Sequence, residues 1–261
     1  MAGSRGNGST SSTSCAAPSD GVNQAPPDHR TQLYGRRRGR PLREGRRRTK
    51  DALLPLLAIG LPECGVLDPA ALFPRRPTAV WLEIGFGGGE HLAEQAAAHP
   101  EIGFIGCEVF ESGIARLTGE VAQRGLENIR LFTDDARLLL EALPPASIGR
   151  VFILFPDPWP KTRHHKRRLV SGATLDLLAA IMAKGAELRL ATDEPDYLAW
   201  TLEHTTAHPA FHWLARRPAD WRGRPADWPP TRYEQKAVAA GRNPAFLRFI
   251  RRTREKTRQQ P

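Results

Sequence analysis

Cysteine is scarce in this chain, with three in 261 residues: Cys15, Cys64 and Cys107. An odd number at wide spacing gives neither a disulfide framework nor a zinc-binding spacing, and a reducing cytosol is the natural setting. No apolar run approaches the length of a membrane span. The first residues are rich in Gly, Ser and Thr and hold no apolar segment for a signal peptidase. The dinucleotide fingerprint Gly-x-Gly-x-x-Gly is missing as well, because Glu90 stands where its last glycine would fall. Disulfide-rich secreted, membrane-spanning and dinucleotide-binding classes are disfavoured, and a cytoplasmic protein without metal is expected.

What the chain has is positive charge in blocks. The formal net charge is +10. Residues 36–50 carry nine basic side chains against one acid, and residues 242–261 carry seven against one. Residues 51–241 sum to −4, so a mildly acidic body carries a basic arm at each end. Such blocks repel themselves and suit a polyanion, which favours nucleic acid over solubilising tails. Four segments follow: a disordered tail over 1–32, a basic arm and bracing helix over 33–78, one main domain over 79–252, and a basic tail over 253–261. The arm is expected to order only on RNA or on the domain's own surface. The brace is a short helix over 53–61 with Pro55 in its first turn.

From residue 79 onward, strand and helix alternate. Strands are expected at 79–84, 102–108, 129–133, 150–155 and 186–191, with helices at 89–99, 112–124, 136–143 and 195–208. A further helix runs from an N-cap at Ser171 to residue 184, and the stretches 211–216 and 246–251 form a closing pair. This alternation implies an α/β fold with a doubly wound, mostly parallel sheet and a ligand crevice at the carboxyl ends of its strands. Between the closing strands lies a Pro-, Arg- and Trp-rich connection that contains Pro-Ala-Asp-Trp twice, at 218–221 and 225–228.

The first strand runs into Glu83, Gly85 and Gly87. An acid ahead of glycines suits a ligand with positive charge and no phosphate, such as S-adenosylmethionine; a plain glycine turn is the alternative. Glu108 ends the second strand and could accept ribose hydroxyls, and Asp135 follows the third and could accept from an exocyclic amine. Either could instead cap the next helix. Together these acids outline an adenosyl ligand.

The densest stretch is FPDPWPKTRHHKRR over 155–168. It sets Asp157 between two prolines, then Trp159, then Lys161, Arg163, His164, His165, Lys166, Arg167 and Arg168. A base-edge acceptor, an aromatic plane and phosphate contacts together suit a site that modifies a base in RNA. The two histidines suit backbone or phosphate contact better than metal. Asp193, after the fifth strand, is a helix cap or a substrate contact. Thr231-Arg232-Tyr233-Glu234 reads in isolation as a turn into a strand.

LEIGFGGGEHL (82–92), GCEV (106–109), DDA (134–136), the 155–168 stretch, ATDEPDYLAW (191–200) and TRYE (231–234) occur in the order of the tRNA (guanine-N7-)-methyltransferases. The chain resembles the single-subunit bacterial type of that family over about 36–249. The resemblance implies the seven-stranded Rossmann-like sheet of the class I S-adenosylmethionine-dependent methyltransferases. It implies methylation of a tRNA variable-loop guanine at N7, no obligatory protein partner, and a monomer or homodimer. It also implies that Glu83, Gly85, Gly87, Glu108, Asp135 and Asp157 bind the cofactor, with Asp157 as the active-site residue. Lys161, Asp193, Thr231, Arg232, Tyr233 and Glu234 would bind substrate, and the run 163–168 would contact RNA. The family usually has Thr-Lys-Phe-Glu where this chain has Thr231 to Glu234, and Arg is not an equivalent donor to Lys. Two other readings compete: methylation of an exocyclic amine, and a non-catalytic RNA-binding protein on a degenerate Rossmann scaffold.

Overall fold

The computed structural model describes Gly35 and residues 37–252. The expected tails at 1–32 and 253–261 lie outside the described residues. Seven strands form one sheet: β1 (Ala79–Ile84), β2 (Ile102–Cys107), β3 (Ile129–Phe132), β4 (Ile148–Leu154), β5 (Met182–Thr192), β6 (Phe211–Trp213) and β7 (Ala245–Arg251). Their order is β3-β2-β1-β4-β5-β7-β6. The first five run parallel, and β7 enters antiparallel between β5 and β6. The expected doubly wound, mostly parallel sheet is present, with its closing pair.

Alternating side chains send each strand's residues to two faces. On one face Leu82 and Ile84 of β1 meet Leu139, Leu175, Leu178 and Tyr197, so α4 (Ala136–Ala142), α5 (Gly172–Ile181) and α6 (Pro195–Ala207) cover it. On the other, Phe104 and Leu131 meet Leu57, Leu92, Ile114 and Leu117 from α1 (Glu44–Leu57), α2 (Glu90–Ala98) and α3 (Glu111–Arg124). Chain order reverses between β1 and β4, and that reversal is where such sheets open a crevice.

Several boundaries differ from the sequence expectation. Helix α1 begins at Glu44 and ends at Leu57, so the second half of the basic arm is already helical. Lys50 reaches Glu111 of α3 at 2.7 Å, and Leu57 is buried against β3 and its neighbours. Residues 44–50 of the arm are therefore ordered on the domain's own surface. Pro55 sits near the helix end, not in its first turn. It is tolerated there because the carbonyl it leaves unpaired, on exposed Asp51, faces water. Helix α5 stops at Ile181 and β5 starts at once, because Met182 pairs with Ile148. Sheet pairing overrides the helical pattern that suggested continuation to 184. Strand β6 ends at Trp213, and the long connection after it folds into α7 (Ala219–Arg222) and α8 (Arg232–Ala239).

Candidate active site

A cavity of about 490 Å³ lies at the carboxyl ends of β1 to β4. Its wall takes Gly85 and Gly87 from the turn after β1, Glu108 after β2, Asp135 and Arg137 after β3, Asp157 and Trp159 after β4, and Tyr233 from α8. Gly35 closes one side.

The turn depends on glycine. Gly87 has a left-handed φ of +56°, and a methyl group on it would stand 3.0 Å from the Tyr233 ring. A methyl on Gly113, in the first turn of α3, would stand 2.0 Å from the Gly87 carbonyl oxygen. Helix α3 therefore reaches the turn only because Gly113 has no side chain. The sequence reading passed over Gly113, although a glycine inside a helix costs stability and was itself a signal.

The Glu108 carboxylate ties β2 to that turn. One oxygen accepts the N–H groups of Val109 (2.7 Å) and Phe110 (2.9 Å), and the other accepts that of Gly87 (2.8 Å). The second oxygen keeps a lone pair beyond its one bond. Burial pushes this carboxyl above the ordinary range against those N–H groups, and the Asp157 carboxylate adds to the rise. Asp157 itself stands at the mouth without a hydrogen bond or ion pair among the described residues, and the surrounding walls raise its carboxyl. The Tyr233 phenol is raised by burial, then by Glu108 and Asp157. Two carboxyls held high in one space favour a guest that carries positive charge.

Asp135 caps α4, accepting from the Arg137 N–H at 3.0 Å, and the Arg137 guanidinium also lies 2.5 Å from its other oxygen. The capping alternative is thus realised while the residue remains on the wall. Glu83 departs from expectation. Strand alternation turns Ile84 to the cavity and Glu83 away from it, into the layer under α2. There its carboxylate lies 2.7 Å from His91 Nδ1, and both side chains are buried. No sequence signal marked His91 as its partner.

The β4 end bends sharply. Phe155 and Trp159 have φ of +51° and +43°, left-handed values that cost non-glycine residues roughly 1–3 kcal/mol each. Between them Pro156 and Pro158 hold Asp157 at the mouth. The basic run then forms a 3₁₀ helix over Thr162–Arg167. Lys161, Arg163 and Lys166 are exposed, and His164 is half-buried beside Trp159. The Arg167 guanidinium lies 4.9 Å from the Trp159 ring. His165 packs on Trp200 at 5.5 Å.

Arg168 corrects the expectation of an RNA contact. Its side chain is buried, its Nε donates to the Pro158 carbonyl at 2.9 Å, and its guanidinium pairs with Asp196 between the Tyr197 and Trp200 rings. It braces the loop against α6, and burial removes it from any phosphate.

Thr231 also differs from its isolated reading: it caps α8, accepting from the Glu234 N–H at 3.0 Å. Arg232 is exposed, and Glu234 pairs with Arg224 at 3.0 Å. Asp193 does not cap α6, whose N-cap is Glu194; it pairs with Arg242 at 2.6 Å. Lys161 and Asp193 lie off the cavity wall. Among the described residues, no helix is long and apolar enough to cross a membrane.

Residues 77–247 match a protein-family model described as "Putative methyltransferase". A tRNA (guanine-N(7)-)-methyltransferase of Rhodospirillum rubrum is 54% identical over 231 residues, covering 87% of this chain and 91% of that one. One of Paramagnetospirillum magneticum is 53% identical, covering 86% and 94%. One of Azorhizobium caulinodans is 49% identical, covering 86% and 96%. With identity this high over nearly the whole of each relative, and the motifs meeting around one cavity, the chain belongs to the tRNA (guanine-N(7)-)-methyltransferase family.

Proposed function

We propose that this chain methylates N7 of a variable-loop guanine in tRNA with S-adenosylmethionine as donor, and that Asp157 is the residue facing the base. The observation that carries the reading is the place of Asp157. It follows β4 at the mouth of the cavity, without a hydrogen bond or ion pair among the described residues, between the glycine turn and an exposed basic run.

The cavity fits the donor. Its volume of about 490 Å³ lies in the range of small-molecule sites. Its raised carboxyls suit a sulfonium and an ammonium group, and the bare backbone at Gly85 and Gly87 allows close approach. Gly85, Gly87, Glu108 and Asp135 would hold the donor, with Glu83 supporting the turn from behind through His91. Bound there, S-adenosylmethionine supplies a methyl group on a positively charged sulfur.

Guanine N7 offers a lone pair and carries no proton, so the chain need not supply a base. The ring becomes cationic on methylation, and the Asp157 carboxylate stabilises that charge as it develops. The same carboxylate can accept from the N1–H and 2-amino edge and so fix the ring's orientation, which lowers the barrier further. Lys161, Arg163, Lys166 and Arg167 sit where they meet the RNA backbone. Tyr233, on the cavity wall against the Gly87 turn, meets both donor and substrate, exposed Arg232 beside it on α8 contacts the substrate, and Asp193 and Arg242 support that edge as a pair. The segment 79–252 carries the reaction, 37–78 braces it, and the setting is the cytoplasm.

The test is incubation of the full chain with labelled S-adenosylmethionine and unmodified tRNA, then borohydride and aniline cleavage. A single cut at a guanine identifies N7-methylguanine. Label without cleavage would indicate another atom and overturn the assignment; no label would overturn the enzyme reading.

A further inference from the structure

The second Pro-Ala-Asp-Trp copy has a job that the reaction as described leaves unassigned. The two copies share a sequence but not an environment. In the first, Asp220 accepts from the backbone N–H groups of Arg216 (2.9 Å) and Arg217 (3.1 Å), which closes a local turn. In the second, Trp228 is 2% exposed, with its ring against Phe246 at 5.5 Å and the Arg189 guanidinium at 5.3 Å. Asp227 is held twice: its carboxylate pairs with Arg189 of β5 at 2.6 Å, and its carbonyl accepts from Gln95 of α2 at 2.8 Å. Arg189 is buried in the middle of a strand and draws on Glu187 as its second partner.

This anchorage lies just ahead of α8. Arg224 links the two, donating to the Trp228 carbonyl (2.5 Å) and to Glu234 (3.0 Å). Helix α8 has eight residues and buries only Ala237. A helix so short, with so little apolar contact, does not hold its own position. Yet its Tyr233 lies against the Gly87 turn and shares the cavity wall with Glu108 and Asp157.

We propose that Pro225–Trp228 is a clamp that seats α8 over the cavity, and that Asp227, through Arg189, is a positioning residue for Tyr233 in donor binding. The second half of this rests on the reading of the cavity as the donor site. The test uses the full chain and the variants Asp227→Ala, Tyr233→Ala and their combination, with S-adenosylhomocysteine as the binding probe. Each single variant should bind the probe about tenfold more weakly, and the combination no more weakly than Tyr233→Ala alone, because coupled residues are non-additive. Asp227→Glu, which can keep the ion pair, should restore binding to within about threefold.

Full additivity in the double variant, or unchanged binding in Asp227→Ala, would overturn the positioning role. Hydrogen exchange of the ligand-free protein reads the clamp without reference to any ligand. Faster exchange in α8 on Asp227→Ala supports it, and unchanged exchange overturns it. If Asp227→Ala does not fold, Asp227→Asn carries the same comparisons. If the wild-type chain binds no probe, yet Asp227→Ala exchanges faster in α8 than wild type, the reading of the cavity is overturned and the clamp stands.

Discussion

Asp157→Asn removes one negative charge from the cavity mouth and changes little else. Two unit charges in contact are worth about 1 kcal/mol in water and about 4 kcal/mol at an effective dielectric of 20. Asp157 stands at an open mouth, yet its walls raise its carboxyl, so its setting lies between those limits. A loss of about 2–3 kcal/mol of transition-state stabilisation corresponds to a rate about 30- to 150-fold slower. Single-turnover methyl transfer to unmodified tRNA measures that loss, and S-adenosylhomocysteine binding measures cofactor affinity separately. The second should fall much less than the first.

Stability supplies a control with an opposite sign. A carboxyl raised in the folded state contributes stability below its unfolded value, and that contribution is lost as pH rises. At neutral pH the ionised group is already a cost, so Asp157→Asn should leave the melting temperature unchanged or slightly higher. Wild-type activity should fall as pH drops through the raised value, above the ordinary 3.8, and the Asn variant should lack that acid limb. Turnover within twofold of wild type, or a slower rate matched by a lower melting temperature, would refute the reasoning.

Glu108→Gln should weaken S-adenosylhomocysteine binding about tenfold or more, since hydrogen bonds to a charged acceptor are worth about 1.5–3 kcal/mol; calorimetry checks this. Gly113→Ala should lower both the melting temperature and probe affinity, because its methyl would stand 2.0 Å from a backbone oxygen that cannot swing aside. Arg163→Gln with Lys166→Gln should reduce the slope of log affinity for tRNA against log salt by roughly 1.4–1.8, at about 0.7–0.9 per lost phosphate contact. Arg168→Gln should instead lower the melting temperature and leave the slope unchanged, as a buried brace would.

The exposed part of the basic run and the glycine turn were legible because their chemistry is local. A Pro-Asp-Pro bend at a strand end and cations in sequence declare themselves within a few residues. Arg168 was misread for the same reason. It is the last cation of that run, and nothing local shows that Asp196, Tyr197 and Trp200 enclose it. Gly113 and the Asp227–Arg189 pair were missed because their partners are distant in the chain, and His91 because only the packing of α2 on the sheet turns it toward Glu83.

Hydrophobic period and charge are properties of neighbouring residues, so the strand-helix alternation, the order of the motifs and the two basic arms could be read along the chain. Which acids share the cavity depended on packing between elements. Side-chain alternation along β1 turned Glu83 into the layer beneath α2. Parallel pairing brought Glu108, Asp135 and Asp157 to one end of the sheet. The anchorage of Trp228 and Asp227 set Tyr233 opposite the glycine turn, some 145 residues away in sequence, where only packing could bring them together.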